Sequence, residues 1–379
     1  MRLHLDDTRR HGRAQARIAG SNADNCSNDQ QRPRRNFMRK ILLAALAAGA
    51  LATIATPSMA QKDIPWGTSA VGSAGHKALV NLAQVLNREM KDYRITVQPT
   101  PGAIVTVKGY ATGQFLGYYG ADIAFYELAK DIARFKGFKA QMKRQPVQSF
   151  WTFTVEVGAA IHSREKGKIK SWSDLSGKRF FSGPLPWDVR AHLERAFTAL
   201  GVKHEYQEID LSTTGSLLDS GRIAGMIIYT NAEATTAPWI TEASLAADWA
   251  ALNPSAAEIA KLKAAGFAVT EVPGSVYKRN VHVDKVVELP FYYGFHVGLE
   301  IPANDVYRML VAVEKNADEL AKLDGSFSQL KGKGMIEMQK KGIASSVDLV
   351  PIHPGLARFM RERNAWDAKW DSRVASATN

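Results

Sequence analysis

Two long apolar segments, residues 150–161 and 290–301, constrain this chain more than any motif in it does. The first carries Phe, Thr, Val and Ile over a length unusual for a strand, for which about 5–6 residues is typical. We read it as a strand that crosses from one lobe of the molecule to another. Around these segments strand and helix patterns alternate. Strands are expected at 63–67, 94–98 and 121–125, with helices opening near His76 and just after Gly102. A second series follows: a short helix from Ser173, a strand at 178–182, a helix at 187–200, a strand at 205–209, a helix from about Leu211 and a strand at 225–229. Residues 303–323 and 334–341 read as helical and return the chain to the first lobe. Strands separated by helices of this length favour parallel sheets, whose ligands gather at strand C-terminal ends beside helix N-termini. The loops after Thr68 and at Gly102 are therefore the first places to look for a site. The expected division is 61–157 plus 285–379 in one lobe and 158–284 in the other.

The N-terminal region reads as an export leader. Arg39 and Lys40 form a positive end, residues 41–54 an apolar run, and Ser58-Met59-Ala60 offers small residues for cleavage before Gln61. A bilayer-spanning helix needs about 20 predominantly apolar residues, so the run is too short to leave a permanent anchor, and the mature chain is not expected to be membrane-embedded. Met38 is the preferred start, with 1–37 over-called. In the competing reading Arg34-Arg35-Asn36-Phe37-Met38-Arg39 resembles a twin-arginine motif, which needs the upstream residues. Either route ends outside the cytoplasm, in the periplasm. The single cysteine, Cys26, precedes the cleavage point, which removes disulfide and thiolate-metal chemistry from the mature protein.

Net charge looks at first like a nucleic-acid signal. Of the 49 Lys and Arg and 37 Asp and Glu, ten and four precede Gln61, leaving 39 against 33, a residual charge of +6. That charge is scattered, with no dense basic run interleaved with aromatics, so nucleic acid is not an expected partner. More than three hundred mature residues exceed the comfortable size of one core and suggest two domains.

Gly67-Thr68 with a small-residue loop follows the first strand, and Pro101-Gly102 follows the second. Ser173-Asp174-Leu175-Ser176-Gly177-Lys178-Arg179 leads to Ser182-Gly183-Pro184. Asn316-Ala317-Asp318-Glu319-Leu320 and Pro351-Ile352-His353-Pro354-Gly355-Leu356-Ala357-Arg358 come later. In order and spacing together these resemble the TAXI-type solute-binding proteins, the receptor subunits of TRAP transporters, over nearly all of the mature chain. The resemblance implies an α/β, type II periplasmic binding fold, two lobes with a ligand cleft between them joined by crossing strands. It also implies no catalysis, capture of a small organic acid or amino acid, and delivery to a TRAP membrane permease driven by an ion gradient. No cofactor is expected, because backbone N–H groups at helix N-termini make a carboxylate site without a metal.

The departures from that pattern fall in the expected cleft: Ser69-Ala70 and Pro101-Gly102-Ala103 replace glycine-richer loops, and Pro186-Trp187-Asp188 replaces a flexible one. Trp187 could wall the cleft or stack on a planar ligand, or be ordinary helix packing. Asp188 puts a negative charge where an anion would sit, or is a routine first-turn residue. Thr68, Ser69 and Ser73 are ligand contacts or simple helix caps. Gly102, Ser182 and Pro186 join the candidate site through the loops they occupy. Tyr126, at the end of the third expected strand, and Tyr229 with Asn231, at the end of a second-lobe strand, are placed by topology. His353 between prolines reads as a structural residue.

A secreted hydrolase is the alternative class, but Gly72-Ser73-Ala74-Gly75 falls one residue short of a Gly-x-Ser-x-Gly elbow. The Gly-Lys pairs at 177–178 and 332–333 lack the rest of a phosphate loop. A third reading keeps the fold and makes the protein an orphan receptor that presents solute to a sensor.

Overall fold

The computed structural model describes residues 61–376; the expected leader, the stretch before it and Cys26 lie outside them. Strands β1 (Lys62–Thr68), β2 (Tyr93–Pro99) and β3 (Gly117–Ala121) alternate with helices α1 (Ala74–Glu89), α2 (Ala103–Thr112) and α3 (Asp122–Lys130). The long strand β4 (Trp151–His162) follows. Then come β5 (Arg179–Phe181), α4 (Asp188–Leu200), β6 (Glu205–Tyr206), α5 (Thr214–Asp219), β7 (Gly225–Asn231) and β8 (Thr235–Thr236). The next elements are α6 (Pro238–Ala246), β9 (Trp249–Leu252), α7 (Ala256–Ala264), β10 (Thr270–Pro273) and the second long strand, β11 (Lys285–Val297). Helices α8 (Ala303–Lys315), α9 (Ala317–Leu323), α10 (Gly334–Ser346) and α11 (Pro354–Glu362) close the chain.

The main sheet runs β2-β1-β3-β11-β4-β7-β5-β6. Strands β1, β2 and β3 are mutually parallel, as are β5, β6 and β7, and the two long strands lie antiparallel between the sets. Every residue of β4 and β7 is buried, as their near-continuous apolar sequences require of strands covered on both faces. This is the α/β architecture expected of the type II periplasmic binding fold.

Local chemistry accounts for the elements nearest the site. Helix α1 buries Ala78, Leu79, Leu82, Val85 and Leu86, the 3.6-residue stripe of an amphipathic helix, and Ser73 caps it by accepting a hydrogen bond from His76 N at 3.2 Å. Helix α2 starts at Gly102 without a side-chain cap and ends at Gly113, whose φ of 95° is the left-handed cap that glycine adopts freely.

Several expectations are corrected. The third strand is Gly117–Ala121, not 121–125, and from Asp122 the chain is helical. A short apolar run does not by itself separate strand from helix. Here Tyr118 and Tyr119 take the pleated positions upstream, while Asp122 suits the positive end of a helix. Tyr126 consequently sits on α3 and not at a strand end. The strand expected at 205–209 is only Glu205–Tyr206, and the helix expected across 303–323 breaks at Asn316. The second long strand begins at Lys285, ahead of the apolar run that announced it.

Candidate functional site

Register brings the C-terminal ends of both parallel sets to one line. Tyr293 of β11 lies opposite Ala121, the last residue of β3, and on its other side opposite Phe153 of β4. Two residues further along β4, Val155 lies opposite Asn231, the last residue of β7. Helices α1, α2 and α4, which follow β1, β2 and β5 of the two parallel sets, start around this line, and their first residues wall a small cavity that is partly open to solvent. Ala74 and Gly75 come from α1, Ala103 from α2, and Asp188 and Val189 from α4. The first amides of a helix have no intrahelical partner, so the cavity faces backbone donors and positive dipole ends.

The walls between these helix ends are aromatic. Tyr119 and Tyr293 stack with ring centroids 4.3 Å apart and planes 12° from parallel, and Phe295 backs Tyr119 at 4.7 Å. Burial, and after it the Asp188 carboxylate, holds the Tyr293 phenol well above its ordinary pKa, so it remains a donor. Its Oη donates to Asp188 Oδ2 at 2.6 Å. The other carboxylate oxygen of Asp188 faces Arg134 Nη1 at 2.6 Å without the alignment of a hydrogen bond, and Arg134 Nε donates to Glu127 Oε2 at 2.7 Å. Asp188 is thus a paired, buried carboxylate in the first turn of α4, where the sequence left open a negative charge in an anion's place or a routine first-turn residue. Trp187 Nε1 donates to Pro101 O at 3.1 Å and ties the start of α4 to the loop before α2.

Ser69, Ser73, Trp187, Asp188, Tyr229 and Asn231, all expected at the site, line the cavity. Ser69 and Ser73 share a hydrogen bond of 2.7 Å. Tyr229 Oη accepts from Trp239 Nε1 at 3.1 Å. Asn231 is buried and its Oδ1 has no hydrogen-bond partner. The remaining candidates stand elsewhere. Thr68 is buried beside the cavity with Oγ1 unpartnered, its carbonyl accepting from Thr100 N at 2.9 Å. Gly102 and Pro186 pack on each other outside the lining: a Cβ on Gly102 would lie 3.1 Å from Pro186 O. Ser182 donates to Glu194 Oε1 at 2.5 Å, away from the cavity. Tyr126 is exposed on α3 under the Arg195 guanidinium, 5.3 Å from its ring centre.

Sequence reasoning missed Tyr119, Val155, Tyr293 and Arg134. Val155 and Tyr293 belong to the two long apolar segments, where only the pairing register shows which residue meets a strand end. Tyr119 was hidden by the misplaced third strand. Arg134 lies in a 3₁₀ turn (Ala133–Phe135) with no sequence signature. His353 behaves as a structural residue. Its Nδ1 accepts from Gly355 N and its Nε2 reaches Ile301 O, each at 3.1 Å, and burial lowers its pKa to about 4.

Residues 66–363 match the NMT1-like family. No curated protein matches the sequence significantly. Similar solved structures include a putative L-cystine ABC transporter protein from Listeria monocytogenes, at 12% identity, 70% coverage of this chain, 95% of that chain and a TM-score of 0.42. The periplasmic aliphatic sulphonate binding protein SsuA from Escherichia coli is similar at 12% identity, covering 84% of this chain and 94% of its own, with a TM-score of 0.40. The ligand-binding component of an ABC-type import system from Staphylococcus aureus follows at 11% identity, 84% and 99% coverage and a TM-score of 0.41.

Proposed function

Because the chain belongs to the NMT1-like family and closes a cavity at the meeting point of its helix N-termini, we propose that it is a solute-binding protein for a small organic acid or amino acid. One observation carries the reading: α1, α2 and α4 present their first residues to the same small space, which also contains the unpartnered Asn231 Oδ1. Helix N-termini recognise carboxylates through backbone N–H groups, and an unpaired buried acceptor calls for a donor on the ligand. The hydroxyls of Ser69 and Ser73 are spent on each other and on α1, an arrangement of a binding surface and not of an activated nucleophile.

In this reading the lobes are 61–157 with 285–379, and 158–284, and β4 and β11 form the hinge. The ligand binds better when the lobes are closed, because only then does it touch α1 and α4 together. The leader exports the chain to the periplasm. The motifs shared with TAXI-type proteins support delivery to a TRAP permease. A gene for an ATP-hydrolysing subunit beside this one would exchange that partner for an ABC importer, and a sensor gene would favour the orphan-receptor role; neither alters the binding role.

The test is a thermal melt of the purified protein against carboxylates, amino acids and aromatic acids. Saturating ligand stabilises by RT ln(1 + [L]/Kd), about 2.7 kcal/mol at 100 times Kd, which reads as a rise of several degrees. A melting temperature that stays flat across the panel counts against an acid-binding receptor.

A further inference from the structure

We infer that Asp188 sets the charge this cavity accepts, admitting a ligand with one carboxylate and a neutral hydrogen-bond donor and rejecting dicarboxylates; the inference rests on the solute-binding reading above. Helices α1 and α2 have no acidic residue in the first turn, whereas α4 has Asp188. An uncompensated helix end is equivalent to roughly half a positive charge, so two of them complement one carboxylate. A second carboxylate would need a cation. Arg134 is placed to be one, half-buried as a residue with its Nη2 buried and unpartnered, but Asp188 lies between it and the cavity, 2.6 Å from Nη1, and Glu127 takes its Nε. One guanidinium is thus shared by two carboxylates, and a second ligand carboxylate would enter surroundings already negative. Asn231 Oδ1, 1% exposed at the residue level and unpartnered, supplies the acceptor for the donor end of the ligand.

The experiment is isothermal titration of the purified protein with two matched pairs, succinamate against succinate and glutamine against glutamate, which differ only by an amide in place of a carboxylate. The wild type is expected to bind each amide member at least about tenfold more tightly than its diacid, the scale of an unfavourable close charge contact. Asp188→Asn keeps a partner for Tyr293 and frees Arg134, so the preference should shift toward the diacid by about tenfold. Adding Arg134→Met to Asp188→Asn should abolish that gain. Saturable binding by the wild type with no charge preference, or an unchanged ratio in a folded Asp188→Asn protein, overturns this inference and leaves the solute-binding role standing. No saturable binding of any of the four probes by the wild type overturns this inference, and the thermal panel then decides the solute-binding role separately. If Asp188→Asn does not fold, the wild-type ratios decide alone.

Discussion

Gly102 stands where a side chain has little room. Its φ of −177° is extended backbone open to any residue, so the demand for glycine is purely one of space. A Cβ would meet the Pro186 carbonyl oxygen at 3.1 Å and the proline ring at 3.2 Å, and the carbonyl cannot swing aside as a flexible side chain would. This contact joins the loop before α2 to the loop before α4, so Gly102→Val is expected to disfavour the closed arrangement while sparing the cores behind it. Overpacking of this kind costs about 1–3 kcal/mol, or roughly a 5- to 150-fold loss of ligand affinity. Calorimetry on the folded variant decides it; undiminished affinity would show that closure does not use this contact.

The two long strands carry, beside their structural task, a buried pair of acids. Glu156 of β4 and Glu288 of β11 are both fully buried, and Thr230 Oγ1 of β7 lies 2.8 Å from an oxygen of each. One hydroxyl has one proton to give, so at one of these two contacts a carboxylic acid must be the donor. Thr154 and Tyr277 donate to Glu156 and Glu288 respectively, and Glu233 adds its backbone N–H to Glu156 at 3.0 Å while its own charge disfavours ionisation of both. Burial raises the Glu156 pKa to about 7 and that of Glu288 well above its ordinary value. A raised carboxyl pKa means that the folded state holds protons the unfolded state has released. The contribution is complete below the ordinary value of 4.5 and is lost as pH rises, through about 7 for Glu156. Glu288→Gln replaces the shared proton with a permanent amide donor. Its melting temperature relative to wild type should therefore rise steadily between about pH 5 and pH 8. Buried His192 and His296, with pKa lowered to about 3, oppose this trend as pH falls below their ordinary 6.5, but they are common to both proteins and cancel in the difference. A difference independent of pH would mean that the pair is ionised throughout.

For the whole molecule, the alternation of strand and helix was legible because period and punctuation are local properties. The two long strands were legible because burial on both faces writes an uninterrupted apolar run. The stretch between Asn231 and Lys285 gave no comparable signal: its strands β8, β9 and β10 are short additions to β7, β4 and β11, chosen by the partners they find. The site was half legible. Residues at helix starts, such as Ser69, Ser73, Trp187 and Asp188, follow from the rule that ligands meet helix N-termini. Tyr119 and Tyr293 follow only from register, and the ion pair of Arg134 with Asp188 only from tertiary approach. Trp187 gives the folded chain an optical consequence. Trp66, Trp151, Trp172, Trp239, Trp249 and Trp370 are buried away from the cavity lining and Trp366 is half-buried near the C-terminus, while Trp187 is 8% exposed at the cavity and bonded to the Pro101 carbonyl. Separation of the loops that carry Trp187 and Pro101 would wet this indole and leave the buried ones dry. Ligand titration should then move the intrinsic emission to shorter wavelength, and Trp187→Phe should erase the change, so that the protein reports its own occupancy without a label; emission that ignores a bound ligand would mean that the indole stays covered in both states.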